Sequence, residues 1–135
     1  DVAGVLTVAG VDDPAGSRRG QSRTVSEKEL LSGLDQNRFI LMLKHRPRTA
    51  DGSHGLFDLQ LSGHTHKGQI FPFTLVVERA YPQLAGLILI SNDQHLYVNR
   101  GSGTWGPPVR FLAPPEVTVI ELVRRERQQP QSKQE

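Results

Sequence analysis

Residues Val2 to Val11 (VAGVLTVAGV) form an uncharged run of small and β-branched residues, which predicts a buried strand. A buried strand so near the first residue suggests that the chain begins inside a domain. Asp12-Asp13-Pro14 closes the run, and 15–23 is polar and glycine-bearing with Arg18, Arg19 and Arg23, the pattern of a mobile loop. Ser26 followed three residues later by Glu29 is a capping-box pattern, so a helix is predicted from Glu27 to Asn37 with Leu30, Leu31 and Leu34 on its apolar face. Phe39 to Leu43 (FILML) is wholly apolar and reads as a central strand, stopped by Lys44-His45-Arg46-Pro47 because proline cannot continue the ladder. Leu56 to Leu61 alternates apolar and polar residues, the period of a half-buried strand. Residues 69–82 predict an irregular or short helical excursion. Gly86 to Ile90 and His95 to Asn99 predict a hairpin around 91–94. A Gly/Pro-rich loop at 101–108 precedes a last predicted strand, Val117 to Val123 (VTVIELV).

These elements amount to an α/β (α+β) domain, rich in strands and poor in helices, over residues 1–123. The stretch 124–135 (RRERQQPQSKQE) has almost no apolar residue and predicts a disordered tail. At 135 residues the chain holds one domain at most. It has no cysteine, which excludes disulfides and thiolate metal sites. A metal site must then be built from His, Asp, Asn and Glu, donors that suit Mn, Zn or Fe. No apolar run is long enough to span a bilayer. The net charge of +2 does not demand nucleic acid as a partner. A nucleic-acid binder would need a continuous Lys/Arg face interleaved with aromatics, and the basic clusters here are short.

The chemistry gathers at Leu61-Ser62-Gly63-His64-Thr65-His66-Lys67-Gly68. Two histidines one residue apart leave a strand end, where a fixed backbone can hold both rings still and Gly63 lets the chain turn. His45 leaves another strand end. Neighbouring strands releasing histidines at one sheet edge is how α/β folds assemble sites. His45, His64 and His66 are therefore the candidate metal ligands; the alternative is three ordinary loop histidines. Lys44, Arg46 and Arg48 around His45, and Lys67 after His66, suit an anionic substrate or else are solvated charges. Asp12 and Asp13 are either substitute ligands or turn residues, and the proline that follows favours the turn. Arg100 with its glycines either positions a phosphate or lets the chain pass beneath the site. Burial is expected for Trp105, and His54 and His95 are expected at the surface.

Taken in order, Gly10-Val11-Asp12-Asp13, Leu43-Lys44-His45-Arg46-Pro47, Leu61-Ser62-Gly63-His64-Thr65-His66, Gly68-Gln69-Ile70, 96–104 (LYVNRGSGT), Pro107 to Phe111 and Pro115-Glu116-Val117 resemble the C-terminal part of calcineurin-like metallophosphoesterases. The similarity covers residues 1–123 and is strongest to the YkuE/YaeI-like phosphohydrolases and their membrane-anchored relatives. The resemblance implies half of a layered αββα sandwich and a two-metal phosphoesterase that cleaves phosphate mono- or diesters with metal-activated water. It implies that His45 and His64 bind one divalent ion and His66 the other, with Lys67 and Arg100 near the phosphate. The family's earlier motifs, Asp-x-His, Gly-Asp and Gly-Asn-His, do not stand ahead of these, and Lys67 replaces a frequent glycine. The chain is thus expected to be a fragment without the bridging carboxylate, to bind at most one ion loosely, and to be weakly active or inactive alone. The alternative is a non-catalytic module that self-associates or is completed by another chain, the missing N-terminal half foremost. Localisation is left open, with a membrane-anchored parent protein as one alternative that the resemblance offers.

Overall fold

The computed structural model describes residues 2, 4–15, 25–91 and 93–123. Five strands form one sheet: β1 (Leu6–Gly10), β2 (Phe39–Leu43), β3 (Leu59–Ser62), β4 (Gly86–Ser91) and β5 (Gln94–Val98). Their spatial order is β1-β2-β3-β5-β4; the first four run parallel and β4 closes the sheet antiparallel to β5. Helix α1 (Glu27–Ser32) lies between β1 and β2, and helix α2 (Phe73–Ala80) follows β3. The expected α/β class, strand-rich with few helices, is what the chain adopts.

The pleat and the register give the sheet two unlike faces. Ala9, Ile40, Met42, Gln60, Ser62, Leu96 and Val98 share one face and are all buried. Leu31 of α1 and Phe57 complete the core there with Ala9, Ile40 and Met42. Ser26 caps α1 by accepting from the Glu29 amide at 3.1 Å, and Glu27 anchors the helix by pairing with Lys44 at the end of β2. The opposite face carries Leu6, Val8, Leu41, Leu43, Leu61, Tyr97, Leu87 and Leu89, and Leu87 and Leu89 are 65% and 63% exposed.

Four expectations are corrected. The first strand is Leu6–Gly10, shorter than 2–11, and as an edge strand it buries only Ala9. Helix α1 stops at Ser32, because Gly33 caps it and the Asp35 carboxylate draws the Asn37 amide into a turn. The strand expected at 56–61 lies at Leu59–Ser62, inside the sheet rather than half-buried. Residues 117–123 form no strand. They cross the bare sheet face, with Thr118 bonded to Tyr97 and Asn99, and with Leu122 beside Leu6 and Phe39, while Val119 stays 92% exposed. Alternation reports an extended chain; a strand also needs a neighbour to pair with. Residues 16–23 of the loop predicted at 15–23, and the tail at 124–135, lie outside the described residues.

Candidate metal centre

Strands β2, β3 and β5 end at one edge of the sheet because they run parallel. Backbone bonds stitch those ends together: Lys44 N to Leu61 O at 3.1 Å, Gly63 N to His45 O at 3.1 Å, and Asn99 N to Ser62 O at 2.8 Å. His45 and His64 leave this edge side by side. His45 Nε2 and His64 Nδ1 face each other at 2.9 Å, with ring centroids 4.7 Å apart. Two nitrogens each about 2.1 Å from one ion at a right angle stand about 3 Å apart, so the pair fits two positions of a single metal ion.

The turn that carries His64 and His66 is strained. His64, His66, Lys67 and Gln69 all have positive φ, at 69°, 47°, 51° and 53°. Non-glycine residues persist there only where surroundings impose it. Thr65, nearly fully buried, donates to the Leu84 carbonyl at 2.7 Å and accepts from Lys67 N. Gln69, fully buried, clasps the 101–108 loop: its amide donates to the carbonyls of Trp105 and Pro107, and its oxygen accepts from Trp105 N at 2.7 Å. Arg110 holds the other side of the loop and lies 2.9 Å from His66 Nδ1.

All three predicted histidines line one cavity of about 360 Å³. Thr65, Val77, Ala80, Tyr81 and Trp105 supply the remaining walls, so the three histidines line a largely apolar cavity. Burial, followed by the charges of His45 and Arg46 and opposed by Asp13, pushes the His64 pKa below its ordinary 6.5. Burial and then Arg110 do the same to His66, opposed by the Gly103 carbonyl. Both shifts favour the neutral ring, the state a ligand needs. Only His45 and His64 oppose their nitrogens, however. Among the described residues no group of three or more His, Asp or Glu stands close enough together to hold an ion.

The remaining candidates are placed elsewhere. Lys44 pairs with Glu27, Arg46 with both carboxylate oxygens of Asp13, and Arg48 donates to Ala80 O and lies over the Tyr81 ring. Asp13 also takes the Ala15 amide, so it is a turn residue. Arg100 pairs with Glu116 at 3.3 Å, and neither it nor Lys67 lines the cavity. An Asp-x-His triplet does occur, Asp93-Gln94-His95, but it opens β5 at the opposite sheet edge and cannot serve this site. His54 is exposed and His95 is half-buried rather than at the surface. Trp105, expected to be buried, is half exposed and forms a cavity wall. Sequence reasoning missed Tyr81, Gln69 and Arg110. The last two sit inside segments that carried the family resemblance, which was the one signal available for them.

No family model matches the chain, and no solved structure does. Curated relatives do. An uncharacterized metallophosphoesterase of Aquifex aeolicus is 34% identical over 90% of this chain and 47% of its own length. The uncharacterized metallophosphoesterase YkuE of Bacillus subtilis is 41% identical over 68% of this chain and 34% of its own. A Danio rerio transmembrane protein with metallophosphoesterase domain is 33% identical over 87% of this chain and 28% of its own. The chain therefore spans between about a quarter and a half of the length of these relatives.

Proposed function

Because the chain belongs to the metallophosphoesterase family, we propose that it supplies the histidine-bearing part of a metal-dependent domain that hydrolyses phosphate mono- or diesters. The observation that carries this reading is the opposed pair of imidazole nitrogens, His45 Nε2 and His64 Nδ1, at the end of parallel strands. A divalent ion there supplies Lewis-acid charge and a bound water that ionises near neutral pH. His45 and His64 would hold that ion, and His66 is assigned to a second one in a complete site. The apolar walls formed by Val77, Ala80, Tyr81 and Trp105 limit water and orient an ester group against the histidines. Lys67 and Arg100 are assigned to the neighbourhood of the phosphate; Arg100 enters that role already paired to Glu116, so Lys67 has the larger share.

Two imidazoles without a carboxylate bridge make a loose site. On this reading the chain alone binds at most one Mn, Zn or Fe ion, and hydrolyses little or nothing. The Danio rerio relative's name supports a membrane-anchored parent protein; among the described residues, no helix is long and apolar enough to cross a membrane. A second reading, a non-catalytic module that self-associates or is completed by another chain, is favoured by the apolar sheet face of Val8, Leu43, Leu87 and Leu89. One sample decides between them. Its mass and its turnover of p-nitrophenyl phosphate esters with Mn are measured together. Turnover that appears only when the relatives' N-terminal part is added supports the phosphoesterase reading. Self-association with no turnover even after that addition overturns it.

A further inference from the structure

Helix α2 is largely apolar, yet none of its eight residues is buried, and Phe73, Leu75 and Val76 are exposed. Its Val77 and Ala80, followed by Tyr81, are walls of the histidine cavity. Trp105 is a further wall, and its half-exposed place is imposed: the buried Gln69 side chain bonds both its backbone N and its carbonyl. The Phe73 and Trp105 rings meet edge-on, with centroids 6.4 Å apart and planes at 70°, so the apolar wall runs on from the cavity to the outside. Gly68 passes the Thr74 backbone with no room for a Cβ, which seats α2 on the histidine turn and keeps wall and histidines in one relation.

Apart from the histidines and the indole N–H of Trp105, the polar side chains lining the cavity are engaged. Thr65 donates to Leu84 O and accepts from Lys67 N, and the Tyr81 hydroxyl meets Arg46, itself paired with Asp13. A sugar or nucleoside would give up hydrogen bonds to water here and recover few of them, which costs affinity. An alkyl or aryl group gives up none and gains its buried area.

We propose that the substrate is the phosphate ester of an apolar alcohol. Its phosphate meets the histidines, and its alkyl or aryl substituent lies between Val77, Ala80, Tyr81 and Trp105. The cavity of about 360 Å³ is small for a ligand site, so a longer chain leaves past Phe73. The inference rests on the phosphoesterase reading for the phosphate group and adds the class of the substituent.

The chain, with a chelator present, is titrated with butyl, hexyl and octyl phosphate below their micelle concentrations. The emission of Trp105, the only tryptophan, is the readout. A saturable blue shift is expected, with affinity rising about fourfold for each methylene that enters the cavity. Glycerol phosphate and inorganic phosphate should leave the emission unchanged. Val77→Asn sets an amide in the wall and should weaken hexyl phosphate about tenfold, whereas Leu75→Asn, on the same helix but outside the cavity, should bind as the wild type does. A flat chain-length series overturns the proposal without any variant. An equal response to glycerol phosphate, or unchanged binding in a folded Val77→Asn, overturns it too. So does a shift produced only by phosphatidylcholine vesicles, which makes the rim a membrane-docking surface instead. If the completed domain turns over p-nitrophenyl phosphate but the chain ignores hexyl phosphate, this inference fails and the phosphoesterase reading stands; hexyl phosphate binding without any turnover supports the inference and fails that reading.

Discussion

At the scale of single residues, the site depends on imidazoles kept neutral. The folded-state pKa values of His64 and His66 lie below 6.5, so the unfolded chain takes up these protons first as pH falls. Stability is therefore fully present above about pH 7, declines as pH drops through 6.5, and levels off once both folded-state values are passed. The thermal midpoint should fall as pH drops from about 7 through 6.5, and His64→Gln should fall less steeply over the same range. Parallel pH profiles for the two proteins would remove burial of His64 as the cause. The carboxylates of Asp13 and Glu116, both held below their ordinary values by hydrogen bonds, act in a lower window and leave this comparison intact. The histidines were legible in the sequence because spacing and a strand end are local features. Trp105 was not: its exposure depends on Gln69, 36 residues away, whose side-chain amide holds the loop by the Trp105 backbone.

At the scale of elements, the tightest point is where the histidine turn meets α2. A Cβ on Gly68 would lie 2.3 Å from Thr74 Cα and 2.8 Å from Thr74 N, and its φ of +76° is already unfavourable for any side chain. Gly68→Ala must push α2 off the turn, since the obstacle is backbone and cannot swing aside. A loss of about 2–4 kcal/mol in urea unfolding is expected, together with a disturbed Tyr81 wall. A variant within about 0.5 kcal/mol of wild type would show that α2 is not seated there. Element type was readable wherever periodicity was local: FILML, the hairpin at 86–98 and the Ser26 cap all formed as their patterns dictate. Boundaries and pairing were not. Gly33 and Asp35 shortened α1, and the alternating 117–123 segment found a sheet face to cross but no strand to pair with.

At the scale of the whole molecule, one sheet face is closed by α1 and the core, while the other leaves Val8, Leu43, Leu87 and Leu89 exposed beside a single crossing segment. The layered αββα sandwich that the resemblance implied would cover such a face, and composition alone could not have revealed it. Parallel strands bring two imidazole nitrogens to 2.9 Å, and nothing among the described residues adds a carboxylate to them. The most direct measurement is calorimetric titration of the chain with Zn and with Mn, before and after His64→Ala. The account predicts at most one weakly bound ion per chain and no detectable binding in the variant. Binding of the same strength and stoichiometry in His64→Ala would contradict it.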